Sequence, residues 1–295
     1  MKRQAVALAV LLGLAAVGSA QTLADPAPGA PRFSIRLGGG AAYATLGDLG
    51  LGIAGQESYL RDEYGELDGS YETPKLGSSF GGELLYALSP RFSLGLGAGY
   101  ARHAKASQVT YAIGFIDVRE RINPRLTLIP LELNLHMAIP LGRSFAFDLF
   151  AGPGYYWASF DYEFRMDLDL LGMSGYDVYT FKSRRGTVGF QAGLGFEVAL
   201  GSRLALVLNA VGRYARLSDF QGDWTEEGGG DFWEYSDSGD GDAMWYYGWT
   251  YEDKKYDQVA FQAEKPFGSL VSDVRPARID LTGIAVFLSL KIRLF

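Results

Sequence analysis

From Arg32 onward the chain alternates with a period of two, in runs too long for ordinary soluble strands. In Arg91 to Ala104 the residues Phe92, Leu94, Leu96, Ala98 and Tyr100 take turns with Ser93, Gly95, Gly97, Gly99 and Ala101. Thr187 to Leu200 repeats the pattern, with Val188, Phe190, Ala192, Leu194, Phe196 and Val198 against Gly189, Gln191, Gly193, Gly195 and Glu197. Arg203 to Tyr214 sets Leu204, Leu206, Leu208 and Ala210 on one side. Such runs exceed the usual strand of about 5–6 residues and match the roughly 9–11 tilted residues that cross a bilayer. One face is apolar. The other is Gly, Ala and isolated polar groups, which suits a narrow interior better than a water-facing surface rich in Lys, Glu and Thr.

Eight such segments can be laid along the chain, at about 32–44, 79–88, 91–104, 124–138, 144–160, 184–200, 203–217 and 277–294. Their connections alternate in length. Short turns fall at Ser89-Pro90, at Pro140 to Arg143 and at Gly201-Ser202, and long connections at about 45–78, 105–123, 161–183 and 218–276. The reading is an all-β, transmembrane, antiparallel up-and-down β-barrel of eight strands, with short periplasmic turns and long extracellular loops. An even strand count puts both termini in the periplasm. Met244 to Tyr251 and Tyr256 to Glu264, joined by Glu252 to Lys255, read as a hairpin above the membrane. If both runs crossed the bilayer instead, the barrel would have ten strands.

Composition removes other classes. After the first twenty residues no apolar run approaches the roughly 18 residues of a spanning helix. The chain has no Cys, which excludes disulfide frameworks, Cys-ligated metal sites, thiol catalysis and a lipoprotein anchor. A formal charge of −7 disfavours a general nucleic-acid binder. Lys2 and Arg3, the apolar run Ala5 to Val17 and the small residues Gly18-Ser19-Ala20 read as a secretory signal peptide over 1–20. Residues 21–31 (QTLADPAPGAP) read as an Ala/Pro-rich periplasmic linker, followed by the barrel domain over 32–295.

Aromatic residues bracket the aliphatic middle of the segments. Phe33, Tyr86, Phe92 and Phe145 stand near the short-turn ends, and Tyr43, Tyr100, Tyr155, Trp157 and Tyr214 near the long-connection ends. With the leader, the eight amphipathic segments, the stretch IPLELNLHM (Ile129 to Met137) and the terminal Phe295, the chain resembles the small outer-membrane β-barrel proteins of the OmpA/OmpX type. That resemblance implies an outer-membrane location and delivery by the barrel-assembly machinery. It implies no cofactor, and no peptidoglycan-binding domain is expected to follow the last strand. The C-terminal pattern departs from the family. Every second residue before Phe295 is Arg293, Lys291 and Ser289, whereas Leu294, Ile292, Leu290 and Leu288 form the apolar face.

Projecting the alternation inward places Arg36, Glu83, Glu132, His136, Asp148, Glu197, Arg213 and Lys291 in the lumen, with Asn134, Gln191 and Asn209. Buried ions there must be paired, so a salt-bridged plug is expected, with a proton or ion path as the other reading. His103 and His136 are the only histidines. A surface hydrolase acting on lipid A or peptides would need one of them beside a nucleophile such as Ser107 or Ser183. A structural or surface-interaction role is the leading expectation, with that enzyme or a narrow channel as alternatives.

The last long connection carries unusual chemistry. Between Asp219 and Asp257 stand twelve acids, with Lys254 and Lys255 the only bases, and four of the five tryptophans of the chain: Trp224, Trp233, Trp245 and Trp249. This aromatic density makes them candidate contacts for an extracellular protein or glycan. Asp237, Asp240 and Asp242 form a weak Ca²⁺ candidate, without the spacing of an EF-hand. The connection is read as an appendage: removing Gly222 to Glu264 is expected to abolish binding and leave the barrel folded. Arg102, Lys105, Arg119, Arg121, Lys182, Arg184 and Arg185 gather near the outer ends of the middle strands, with Arg125. They are candidates for contact with lipopolysaccharide phosphates, beside the outer-membrane lipid itself.

Overall fold

The computed structural model describes residues 32–142, 144–231 and 233–294. The expected leader over 1–20, the linker over 21–31 and the terminal Phe295 lie outside those residues, as do Arg143 and Phe232. In chain order the elements are β1 (Phe33–Ala44), α1 (Asp48–Tyr64), β2 (Asp68–Ser70), β3 (Leu76–Ala87), β4 (Phe92–Ala104), β5 (Ser107–Ile113) and β6 (Ile116–Ile122). There follow β7 (Arg125–Pro140), β8 (Phe145–Leu170), β9 (Met173–Ala199), β10 (Leu204–Tyr214), β11 (Arg216–Ser218) and β12 (Gln221–Gly230). The last are β13 (Trp233–Tyr251), β14 (Lys254–Gln262), β15 (Val271–Pro276), β16 (Arg278–Asp280) and β17 (Gly283–Arg293).

Eight strands close on themselves. β1 pairs with β3, then β4, β7, β8, β9, β10 and β17 follow, and β17 returns to β1, every pairing antiparallel. Closure leaves the ring without a free edge, each strand pairing with a neighbour on both sides. The ring uses the eight alternating segments read from the sequence, and its side chains are inverted relative to a soluble protein. Leu37, Leu96, Leu133, Leu194, Leu208 and Leu288 are exposed on the outside, whereas Arg36, Glu83, His136, Asp148, Glu197 and Asn209 are buried. Tyr43, Tyr100, Tyr155, Trp157 and Tyr214 are exposed at the long-connection end. Phe33 and Tyr86 pack together at the short-turn end, with ring centroids 5.0 Å apart.

The long connections are not loops. β8 and β9 run 26 and 27 residues and continue past the ring as one hairpin, turned at Leu171-Gly172 with φ of 52° and 87°. Two successive positive φ values suit the right-handed twist of the flanking strands. β6, β5 and β2 extend the sheet from β8, and β12, β13 and β14 extend it from β9. The sequence reading assigned no secondary structure to 105–123, which is the hairpin β5–β6. It placed 244–264 correctly as a hairpin: β13 and β14 pair antiparallel across Glu252-Asp253, outside the ring of eight.

A helix completes this cap. α1 lies in the 45–78 connection, which reads from the sequence only as a long connection; Gly50, Gly52 and Gly55 lower its helix propensity. Two of those glycines have a packing purpose. A Cβ at Gly55 would stand 1.9 Å from the Asp257 carbonyl oxygen, and one at Gly52 2.6 Å from the Val259 side chain. The helix thus seats directly on β14 and covers strand backbone that would otherwise be an open edge. Asp48 in its first turn accepts hydrogen bonds from Arg275 Nη2 (2.8 Å) and the Arg278 backbone N–H (2.7 Å). Gly65 ends it, donating its N–H to the Arg61 carbonyl.

The hydrophobic core sits in the ring's mouth and the cap, not in mid-ring. Leu46, Leu126, Leu128, Tyr156, Phe160, Phe181, Leu217, Phe220, Met244 and Ile279 are all under 2% exposed. This bears on the reading of 222–264 as an appendage. Met244 and Tyr246 from that stretch belong to one buried cluster with residues of β7, β8 and β9, so removing it would open the core.

Candidate functional site

Inward-facing residues of the ring form three layers. Nearest the short turns, Glu197 receives Lys291 Nζ (2.8 Å) and Arg293 Nη2 (2.7 Å). The second layer centres on Arg36, whose Nη2 binds Glu83 and whose Nη1 donates to Asp148 (3.1 Å) and Asn209 (3.3 Å). His136 stands between the same two carboxylates, with Nε2 2.9 Å from Glu83 and Nδ1 3.0 Å from Asp148. Asn134 donates to Glu83 (2.9 Å) and accepts from Gln191 (3.0 Å). Arg36 and His136 both lie against the Phe150 ring. Seven polar side chains from six strands therefore satisfy one another across the lumen and occupy its cross-section.

The third layer is looser. Arg213 lies 3.6 Å from Glu132 and its guanidinium is over the Tyr156 ring at 5.0 Å. Among the described residues, Glu132 Oε1, Arg213 Nε and Tyr156 Oη are buried without hydrogen-bond partners. Glu132 and Arg213 line a cavity of about 90 Å³. That is room enough for water, the usual partner of such groups. Above it, His103 is 1% exposed and its Nδ1 contacts the Lys75 carbonyl at 3.2 Å.

Neither histidine meets a nucleophile. Ser107 Oγ accepts from the Glu72 N–H and Ser183 Oγ donates to the Gln221 carbonyl. Among the described residues no serine is hydrogen-bonded to His103 or His136.

A family model described as an outer membrane protein beta-barrel domain matches residues 7–252. The chain belongs to that family. No curated protein matches it. Membership of this barrel family supports an outer-membrane location and a general outer-membrane barrel protein.

On this barrel the surface candidates fall into separate places. Asp237, Asp240 and Asp242 do not converge. They lie along β13, where extended backbone rises about 3.3 Å per residue, and Asp242 alone is buried. Among the described residues no group of three carboxylate or imidazole side chains is placed to hold a metal ion. The tryptophans also part. Trp224 stacks on Tyr179 (6.3 Å) and Trp233 on Tyr235 (5.5 Å). Trp245 donates to the Gln262 carbonyl (3.0 Å), and Trp249 meets Tyr59 of α1 (4.5 Å). Trp249, Tyr247 and Phe267 line an outer cleft of about 400 Å³ with Gln56, Gln258 and Gln262.

Basic residues stand where the ring meets the cap. Arg102, Arg119, Arg121, Lys182, Arg184 and Arg185 are exposed, while Lys105 pairs with Glu72 (3.3 Å) and Arg125 is half-buried. Arg184 and Arg185 border a cleft of about 570 Å³ whose lower wall is Ile129 and Trp157.

Sequence reasoning missed the cap's buried polar centre. Glu120 is 5% exposed and accepts the hydroxyls of Tyr71 and Tyr111, each at 2.5 Å. Burial and the adjacent Glu120 carboxylate push both phenols well above the ordinary tyrosine range. The alternation of Val118, Glu120 and Ile122 was the available signal: it puts Glu120 on an apolar face of β6.

Proposed function

We propose that this protein spans the outer membrane as an eight-stranded barrel with a closed lumen, its folded cap outside the cell and both termini in the periplasm. The observation that carries this reading is the inversion of the ring, with leucines facing outward and a hydrogen-bonded charge network inside. An exposed aliphatic belt is stable only in lipid, and paired ions are tolerated in a lumen that side chains fill. The role is structural and interactive. The outer cleft of Trp249 and Tyr247 suits a glycan or protein ligand, through ring stacking and side-chain amides. The cleft of Arg184, Arg185, Trp157 and Ile129 suits lipopolysaccharide, with phosphates at the guanidinium groups and acyl chain along the apolar wall.

Catalysis is disfavoured because both histidines are held by structural partners, and an open channel because the Arg36 layer crosses the lumen. The test is electrophoresis of outer-membrane fractions, boiled and unboiled, with surface labelling of the exposed lysines Lys254 and Lys255 on intact cells. A mobility shift on boiling together with labelling supports the reading. A soluble chain with no shift overturns it.

A further inference from the structure

The cap carries a half-open pocket that its own side chains leave unfilled. Between α1 and the cap sheet lies a cavity of about 320 Å³. Leu49 and Ile53 of α1, Ile122 of β6, Phe164 of β8 and Val259 and Phe261 of β14 supply its apolar walls. These residues belong to the cap core or pack against it. The cavity's volume reaches the size range of ligand sites.

No charged side chain lines it. Its polar groups are the hydroxyls of Tyr71, Tyr162 and Tyr179 and the amides of Gln56 and Gln258. Tyr71 is engaged by Glu120, and Tyr179 donates to the Phe261 carbonyl at 3.3 Å. Gln258 differs. It is 7% exposed, and its Nε2 is buried with no hydrogen-bond partner among the described residues. A buried amide donor without an acceptor is rare in folded proteins and marks a place where an acceptor arrives from elsewhere.

We propose that this cavity binds a small, uncharged, mainly apolar molecule carrying one hydrogen-bond acceptor, which Gln258 Nε2 meets. At interior packing density the space takes roughly a dozen non-hydrogen atoms. The absence of charged side chains from its walls favours an uncharged ligand. The bound molecule completes the cap core, so binding and cap stability are linked by mass action. The site does not depend on which side of the membrane the cap occupies.

The test uses the full chain in amphipol, with 4-phenylbutan-2-one and butylbenzene as probes and empty amphipol as reference. Binding is read by saturation-transfer NMR and by the thermal transition of the cap. Both probes should saturate and raise that transition. Gln258→Leu should weaken the ketone about tenfold while leaving butylbenzene unchanged, the signature of one lost polar contact. Ile53→Trp, which fills the space, should weaken both, whereas Tyr247→Ala in the outer cleft should affect neither. Three results overturn the proposal: no saturable signal above empty amphipol, a ketone affinity indifferent to Gln258→Leu, or binding lost with Tyr247→Ala and kept with Ile53→Trp.

Discussion

Replacing Arg36 by Met is the sharpest test of the lumen layer. The Arg36 side chain is 9% exposed, and its partners Glu83 and Asp148 are 8% and 11% exposed. The substitution removes the contacts of one guanidinium to Glu83, Asp148 and Asn209. It leaves two buried carboxylates sharing His136 as their remaining basic partner. Breaking a buried pair in this way costs about 3–5 kcal/mol, because two buried carboxylates are left with His136 as their one basic partner. Against a total stability of about 5–15 kcal/mol that is a large share. With m near 2 kcal/mol/M it corresponds to a fall of about 1.5–2.5 M in the urea midpoint. The assay is reversible urea unfolding in lipid vesicles, followed by tryptophan fluorescence and by the heat-dependent gel shift. A second variant isolates the cause. Combining Arg36→Met with Glu83→Gln and Asp148→Asn removes the stranded charges while keeping their shapes, and it should recover all but about 1–2 kcal/mol. If Arg36→Met alone costs under about 1 kcal/mol, or the triple variant is no better than the single, the lumen charges are solvated and the plug argument fails.

Other substitutions test the cap. Gly55→Leu drives a Cβ into the Asp257 carbonyl, so the cap should become protease-sensitive by about 1–3 kcal/mol while the boiling-dependent gel shift persists. Glu120→Ala strands the buried hydroxyls of Tyr71 and Tyr111 and should lower cap stability by about 2–5 kcal/mol, with Glu120→Gln milder; calorimetry separates them. Burial raises the Asp242 carboxyl above its ordinary range. The folded cap therefore holds that proton more tightly than the unfolded chain. The penalty is absent below about pH 3.9, grows as pH rises through the folded value and is complete above it. Asp242→Asn should accordingly raise the cap's thermal midpoint at pH 7, and the gain should vanish as pH falls toward about 4. Finally, Arg184→Glu with Arg185→Glu should weaken lipopolysaccharide binding, with a smaller salt dependence than the parent, measured by titration in nanodiscs.

How far the sequence spoke depends on which force shaped each segment. The ring strands were legible because each separates lipid from lumen. A period-two pattern is the direct record of two environments on opposite faces, so Leu94 and Leu96 point out while Glu83 and Asp148 point in. The lumen residues could likewise be named one by one, since alternation fixes the face. Which of them meet was another matter. Arg36 and Asp148 are 112 residues apart, and only closure of the ring brings them into hydrogen-bond reach.

The cap shows where local pattern ran out. α1 carries three glycines that argue against a helix, and at Gly52 and Gly55 the surface of β14 leaves no room for a side chain. Asp237, Asp240 and Asp242 lie close in sequence, yet strand β13 does not bring them together at one point. Trp249 and Tyr59 lie far apart in sequence, yet their rings meet. Sequence alone determined the alternation, the face of each ring residue and the class of solvent around it, because those follow from neighbours one or two positions away. Tertiary structure alone decided the cap, its buried Glu120 and the cavity beneath Gln258, because those arise where strands and a helix distant along the chain pack together.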